Sequence, residues 1–368
     1  MRVKARVGRG PRAIVAGRVE RYPVTLEHEE LLVRRGRRSG RYCIVAVHST
    51  IRGPALGGCR MWRYDDSASA VGDALRLARA MTYKAAVAGL PLGGGKGVIM
   101  LDDGPPHGRA RRDVLLDFAE TVDALRGSYL TAEDVGTSSR DMTVIAEGTK
   151  YVTGLARARG GSGDPSPFTA LGVEAAVLAS CERAFGSASL RGRSAAVVGL
   201  GSVGLRLARL LARRGADLVV SDIDEAKRAE AEKLGAKWAT PERALVAPVD
   251  ILAPCALGGV LNESTVPRLQ APVIAGAANN QLADESIADL LEQRDILWAP
   301  DFVANAGGII NISVEFEAGG YDAGRARRRV RGIADTLGAI YDTAAAGMTP
   351  LTAAMELARR RLAEPRTS

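Results

Sequence analysis

The chain has 368 residues, of which 46% are hydrophobic and 25% are charged, and its formal net charge is +8. This composition excludes a disordered chain, and the length favours two domains over a single core. No segment approaches the roughly 20 apolar residues of a membrane-spanning helix, and no apolar segment follows the basic N-terminus as a secretory signal requires. We therefore expect a cytoplasmic protein with no membrane partner.

The positive charge is concentrated in three arginine-rich segments, residues 1–18, 34–41 and 325–331. Aromatic residues make up only 4% of the chain and do not alternate with these arginines, so base-stacking surfaces are not expected. We predict that these segments are solvated surfaces and that the protein has no nucleic-acid partner.

Strands and amphipathic helices alternate in the first part of the chain. Hydrophobic periodicity and β-branched residues predict strands at 42–47 and 97–101 and helices at 67–81 and 113–125. Glycine and proline predict a loop at 48–62. We expect residues 1–18 to form a flexible arm, and the cluster of Gly, Ser, Asp and Pro at 159–167 to form a hinge.

Two lysines in this part are candidates for chemistry. Lys84 lies near the end of the first helix, and Lys96 follows the run Gly93-Gly94-Gly95. Only seven of the 50 lysines and arginines in the chain are lysines. A buried lysine, unlike an arginine, can lose its proton near neutral pH. A surface lysine beside a turn is the alternative interpretation.

A carboxylate at a strand end is the third candidate. Asp134 follows a short predicted strand that would hold it in place, whereas Asp141 can cap the next helix. Among the three histidines, His48 is the alternative residue for proton transfer, because it follows a strand. The four cysteines are scattered without a C-x-x-C pair, so we predict neither a metal site nor a disulfide.

Residues 194–204, SAAVVGLGSVG, predict a dinucleotide-binding turn between a strand and a helix. The next strand, at 217–220, leads to Asp222, which would accept hydrogen bonds from the adenosine ribose and repel a 2′-phosphate. NAD is therefore favoured over NADP, although Arg228 lies nearby in sequence. The predicted cofactor-binding residues of these two segments are Gly199, Gly201, Ser202, Val203, Gly204, Asp222 and Ile223.

Further strands at 250–253, 272–275 and 296–299 alternate with helices, which predicts a doubly wound parallel sheet. Loops at the carboxyl ends of such strands bind ligands, which adds Cys255 and Ala256 to the cofactor-binding residues. Thr349 and Pro350 predict the start of a last helix. We predict an α/β protein with an N-terminal substrate and oligomerisation domain (1–167), an NAD-binding Rossmann domain (168–325) and C-terminal helices (326–368) that return to the first domain.

Seven motifs carry a resemblance to a known family. In chain order they are GPALGGCRMW, MTYKAAVAGLPLGGGKGVI, TAEDVGT, GLGSVG, APCALGG, AGAANNQL and APDFVANAGGIIN. The chain resembles the leucine/phenylalanine/valine dehydrogenase branch of the amino-acid dehydrogenase superfamily. The resemblance implies NAD-dependent, reversible oxidative deamination of an L-amino acid to its 2-oxo acid and ammonia, by a homo-oligomer between dimer and octamer.

The resemblance also implies roles for individual residues. Lys84 would bind the substrate carboxylate, and Lys96 would be the general base that activates water. Asp134 would exchange protons with the substrate nitrogen. Asn305 would help to hold the substrate, and Asn280 would meet the nicotinamide end of the cofactor.

The expected substrate follows from the residues that would line its side-chain pocket. Glutamate dehydrogenases carry a lysine where this chain has Leu56, so a glutamate side chain would be left unpaired. The remaining substrate-binding residues implied are Gly57, Gly58, Ala132, Ile309 and Ile312. We expect leucine, isoleucine or valine as the substrate, with a phenylalanine dehydrogenase or an inactive NAD-binding family member as alternatives.

Overall fold

The computed structural model describes residues 27–364, and the arm predicted at residues 1–18 lies outside that range. The first elements of the described chain are β1 (Glu30–Arg35), β2 (Tyr42–Ser49), β3 (Ala55–Arg63), α1 (Ser67–Val87), β4 (Gly93–Leu101), α2 (Gly108–Asp123), β5 (Tyr129–Glu133) and α3 (Ser139–Ile145). The five strands form one sheet with the order β1-β2-β4-β3-β5. β3 runs parallel to both β4 and β5, whereas β2 is antiparallel to β1 and β4.

Helices pack against both faces of this sheet. Successive side chains of a strand point to opposite faces, so each face presents apolar residues to a helix. Ile44 and Ala46 of β2 pack with the apolar residues of α1. Cys43 and Val45 of the same strand pack with those of α2. Both faces are therefore buried.

The loop predicted at 48–62 is wrong, because β3 occupies most of it with Gly57 and Gly58 inside the strand. A Cβ at Gly57 would lie 1.7 Å from the backbone oxygen of Gly95. The glycine run before Lys96 likewise belongs to β4, which begins at Gly93 rather than at residue 97. These glycines mark close backbone packing inside a sheet and not turns.

Helix α1 extends to Val87, six residues beyond the predicted end. The Asp66 side chain caps its first turn and accepts a hydrogen bond of 2.7 Å from the backbone N–H of Ser69. A Cβ at Gly94 would lie 2.0 Å from the backbone nitrogen of Thr82. Glycine at that position of β4 therefore lets the last turns of α1, which carry Lys84, lie directly against the sheet.

A second sheet follows in the chain, and its six strands are all parallel in the order β11-β10-β9-β6-β7-β8. The prediction of a doubly wound sheet is confirmed. Its elements are α4 (Ser166–Phe185), β6 (Ser194–Val198), α5 (Gly204–Arg213), β7 (Asp217–Ser221), α6 (Arg228–Lys233), β8 (Lys237–Trp238), α7 (Pro241–Leu245), β9 (Ile251–Pro254), β10 (Val273–Ile274), α8 (Ile287–Gln293), β11 (Leu297–Trp298), α9 (Asp301–Ala304) and α10 (Gly307–Ser313).

Three helices end the described chain: α11 (Ala323–Arg331), α12 (Ile333–Ala344) and α13 (Pro350–Ala363). The break between α11 and α12 lies at Gly332. As predicted, Thr349 caps α13 and Pro350 is its first residue. The Arg361 guanidinium of α13 donates to the backbone oxygens of Ala86 and Val87 at the end of α1, so the chain returns to the first sheet. No helix in residues 27–364 has the length and apolar character that crossing a bilayer requires.

Gly94→Ala tests the close approach of α1 to the sheet. The added Cβ would collide with the Thr82 backbone, so we expect the free energy of unfolding to fall by about 1–3 kcal/mol. Gly72→Ala is the matched control, because Gly72 lies within α1 and has open space around it, and we expect unchanged or slightly higher stability. Thermal denaturation of both variants at equal protein concentration measures the difference. Equal midpoints for the two variants would contradict this packing.

Candidate active site

The register of three parallel strands gathers the predicted residues on one face of the first sheet. Gly58 of β3 lies opposite Ala132 of β5, and the neighbouring register places it beside Lys96 of β4. A Cβ at Gly58 would lie 2.7 Å from the Cβ of Asp134, which follows β5 directly. Because Gly58 has no side chain, Asp134 can turn towards Lys96.

Lys96 and Asp134 form an ion pair, with Lys96 Nζ donating to Asp134 Oδ2 at 2.7 Å. The Lys96 side chain is only 6% exposed, whereas that of Asp134 is 25% exposed. Burial lowers the pKa of Lys96, and the carboxylate of Asp134 opposes this effect. Burial also disfavours the Asp134 carboxylate, but Lys96 and Arg60 outweigh it and hold the pKa of Asp134 below its usual value.

Arg60 is a member of this site that the sequence did not predict. Its Nε donates to the same Asp134 oxygen at 3.0 Å, and its Nη1 donates to Asp73 Oδ2 at 2.8 Å. Arg60 lies two residues after Gly58 in β3, on the same face of the sheet. The sequence did not indicate that Gly58 and Arg60 share a face, because this segment was predicted to be a loop.

Lys84 of α1 contacts a residue that directly follows α9. Its Nζ donates to Asn305 Oδ1 at 2.5 Å, and Asn305 Nδ2 donates to the Ala277 backbone oxygen at 3.2 Å and to Asn279 Oδ1 at 2.9 Å. Burial, assisted by the charge of Lys96, lowers the pKa of Lys84 to about 8. The structure therefore brings Lys84, Lys96, Asp134 and Asn305 to one cleft between the sheets.

Two further polar residues of this cleft were missed. Asn279, which the sequence did not single out, accepts a hydrogen bond from Asn305. Asp301 is buried and accepts a hydrogen bond of 2.8 Å from the backbone N–H of Gln281, and its negative charge acts on Lys84. Burial raises the pKa of Asp301. The sequence offered one signal, the paired asparagines of AGAANNQL, but did not show which of the two faces the cleft.

The predicted pocket residues lie in one apolar cluster. All are at least 92% buried, and they are Leu56, Ala132, Ile309 and Ile312. Gly57 lies within β3 and has no side chain, and its backbone oxygen accepts a hydrogen bond of 2.6 Å from the Tyr129 hydroxyl. Gly57 thus offers only backbone atoms to any ligand.

His48 does not contact this ion pair. Its Nδ1 lies 2.9 Å from Thr82 Oγ1, and its ring packs edge-on against His28 at a centroid distance of 4.9 Å. Burial lowers the pKa of His48 to about 4. Within residues 27–364, no group of three or more His, Cys, Asp or Glu side chains could hold a metal ion.

The three glycines of the dinucleotide turn have three different surroundings. Gly199 has a φ of 103°, which permits the tight turn after β6. A Cβ at Gly204 would lie 1.9 Å from the Gly199 oxygen, so glycine is needed for α5 to pack here. Within residues 27–364, a Cβ at Gly201 would meet no atom within 4 Å apart from those of its chain neighbours. This combination fits a dinucleotide pyrophosphate approaching the backbone at Gly201.

Asp222 directly follows β7 and is fixed beside the turn. Its Oδ2 accepts hydrogen bonds from the Leu200 backbone N–H at 2.7 Å and from Lys227 Nζ at 3.0 Å. Arg228, by contrast, packs over the Trp238 ring and pairs with Glu225. Lys227, which the sequence did not single out, is therefore the cation beside Asp222.

The other predicted cofactor-binding residues lie at the carboxyl ends of the parallel strands. Ser202 and Val203 lead into α5, and Ile223 after β7 is 92% exposed. Cys255 and Ala256 follow β9, and Asn280 lies in the left-handed region with a φ of 51°. These residues follow the strands at the edge of the sheet where ligands bind in such folds.

Comparisons with known proteins show the family of this chain. A family model described as "Glu/Leu/Phe/Val dehydrogenase, dimerisation domain" matches residues 29–151, and another, "Glutamate/Leucine/Phenylalanine/Valine dehydrogenase", matches residues 220–366. The chain is 44% identical to a leucine dehydrogenase from Geobacillus stearothermophilus over 94% of this chain and 92% of that protein. This chain belongs to the Glu/Leu/Phe/Val dehydrogenase family.

This enzyme is thus an amino-acid dehydrogenase, and its family depends on NAD(P). It is also 42% identical to a valine dehydrogenase from Streptomyces virginiae, over 92% of this chain and 95% of that protein. The crystal structure of L-tryptophan dehydrogenase from Nostoc punctiforme matches with a TM-score of 0.79 at 40% identity, covering 92% of this chain and 96% of that chain. Because these relatives are named for different amino acids at similar identity, the substrate has to be inferred from the pocket.

Gly201→Ala and Gly204→Ala separate cofactor contact from folding. Gly201→Ala should keep the wild-type thermal midpoint, but its Kd for the dinucleotide should rise about tenfold or more, because the methyl group occupies the pyrophosphate approach. Gly204→Ala should lower the midpoint as well, since its Cβ collides with Gly199. Calorimetric titration with NAD and thermal denaturation measure both effects. Wild-type affinity in Gly201→Ala would show that the dinucleotide does not approach this turn.

Proposed function

We propose that this enzyme catalyses the reversible, NAD-dependent oxidative deamination of an apolar L-amino acid. The amino acid, NAD⁺ and water would yield a 2-oxo acid, ammonium, NADH and a proton. The single observation that carries the proposal is the grouping of two buried lysines, of which Lys96 pairs with Asp134 and Lys84 bonds to Asn305. Two neighbouring lysines withdrawn from water, one of them paired with a carboxylate, suit proton transfer near neutral pH.

Lys96 is the general base of the proposed reaction. Its lowered pKa allows it to take a proton from a water molecule, which then attacks the substrate imine. Asp134, one hydrogen bond away, exchanges protons with the departing nitrogen. When bound, NAD supplies the acceptor for the hydride that leaves the substrate α-carbon.

Lys84 binds the substrate carboxylate in this proposal. With a pKa of about 8 it carries its positive charge below that pH, and a carboxylate beside it would raise the pKa further. Asn305, which directly follows α9, holds the Lys84 ammonium in place and shares in substrate binding. Asn280 and Asn279 would lie at the nicotinamide end of the cofactor.

NAD is preferred over NADP because the Asp222 carboxylate lies where the adenosine ribose would bind. Gly199, Gly201, Ser202, Val203 and Gly204 would hold the pyrophosphate, and Ile223, Cys255 and Ala256 would border the groove. The pairing of Lys227 with Asp222 offsets part of the repulsion of a 2′-phosphate. We therefore expect discrimination against NADP without its complete exclusion.

The preferred substrates are leucine, isoleucine and valine. Leu56, Ala132, Ile309 and Ile312 offer no partner to a charged side chain, and an unpaired buried carboxylate is costly. The two isoleucines favour a branched aliphatic group over a larger aromatic one. The match of residues 29–151 to a dimerisation domain supports a homo-oligomer.

Lys96→Met tests the assignment of the base. We expect turnover to fall about 10²–10⁴-fold, the usual contribution of a general base, while folding and NAD binding are retained. Lys150→Met is the control, since Lys150 is exposed and its ammonium lies over the Tyr151 ring. NADH formation from a panel of L-amino acids at alkaline pH is the measurement. Turnover retained in Lys96→Met would overturn the assignment, and no turnover by the wild-type enzyme would overturn the proposed function.

Ile309→Ala tests the pocket. Removing this side chain should raise the ratio of kcat/KM for phenylalanine to that for leucine about tenfold, because a few methylene groups are worth about 1–3 kcal/mol. Ile310→Ala is the matched control, because Ile310 faces a separate cavity with Leu90 and Phe316. Steady-state kinetics with both amino acids measure the ratio. An equal change in both variants would place the substrate elsewhere.

A further inference from the structure

One oxygen of Asp134 receives two cations. Lys96 Nζ and Arg60 Nε donate to Asp134 Oδ2 at 2.7 and 3.0 Å. The three groups together carry one net positive charge. Arg60 keeps its proton at any physiological pH, so only Lys96 can release one.

Arg60 is held in this position by Asp73 of α1. Its Nη1 donates to Asp73 Oδ2 at 2.8 Å, and Asp73 also accepts hydrogen bonds from the Tyr64 hydroxyl and from Arg76. The Arg60 side chain is 22% exposed and lies between two carboxylates. A guanidinium fixed at both ends keeps its direction when neighbouring groups change protonation.

Arg60 supplies the positive charge that remains beside Asp134 after Lys96 loses its proton. Without it, loss of the Lys96 proton would leave the Asp134 carboxylate largely buried with no adjacent cation, which is costly. Lys96 would then stay protonated and remain in a simple ion pair with Asp134. With Arg60 present, loss of that proton leaves a neutral Asp134–Arg60 pair.

We propose that Arg60 is a positioning residue for the base: it orients Asp134 and retains the balancing charge when Lys96 gives up its proton. This inference rests on the proposed function of Lys96. The other charged or titratable groups that act on Lys96 and Asp134 are Lys84 from α1, Cys59 from β3 and Tyr129 from β5. Lys84 is the second cation near Lys96, but it bonds to Asn305 and not to Asp134.

Arg60→Gln tests the proposal, since glutamine can still donate a hydrogen bond to Asp134 but carries no charge. The acid limb of the pH profile of kcat/KM, which reports deprotonation of Lys96 in the free enzyme, should move up by about one pH unit. The sign follows from the charge, because removing a cation favours the protonated lysine. Arg60→Lys, which restores a charge, should return the limb towards its wild-type position.

Arg111→Met is the matched control, because Arg111 makes a comparable two-point contact with Asp141 in the same sheet domain. This variant should leave the acid limb of the pH profile unmoved.

Arg60→Met replaces Arg60→Gln if the latter does not fold, with the same expected shift. A lower rate at every pH with an unmoved limb would mean that Arg60 only ties β3 to α1, and the proposal would be wrong. Absence of any amino-acid turnover in the wild-type enzyme would instead reject the proposed function.

Discussion

A carboxylate beside a lysine ammonium that is removed from water stabilises its charge, and Asp134 provides this for Lys96 at the first sheet. The pair forms only if β3, β4 and β5 keep their register, because a shift of one residue would turn Lys96 to the opposite face. Gly58 leaves the space that Asp134 occupies, and Gly94 lets α1 approach. The proposed chemistry therefore depends on backbone packing that only glycine allows.

The second sheet completes the cleft from the other side. Its parallel strands place the dinucleotide turn, Asp222 and the loop that contains Asn279 at one edge, where ligands bind in such sheets. Asn305 extends from this side to Lys84 on α1. One hydrogen bond thus links the groove proposed for the cofactor to the residues proposed for proton transfer.

The sequence predicted the second sheet well because its signals are local. A glycine turn between strand and helix, an acid after the next strand, and a Thr349-Pro350 helix start each depend on neighbouring residues. The glycines of β3 and β4 were misinterpreted because their cause is another strand or helix, distant in sequence. Arg60 was missed for the same reason, since its partners, Asp73 and Asp134, are defined only by the fold.

A crystal structure of the enzyme with NAD and a branched-chain 2-oxo acid measures the central claim most directly. We expect the ligand carboxylate at Lys84 Nζ, its side chain against Leu56 and Ile309, and its carbonyl carbon between Lys96 and the nicotinamide. A ligand bound with its carboxylate away from Lys84, or with Lys96 out of reach of the carbonyl carbon, would contradict the assignment of this cleft as the active site.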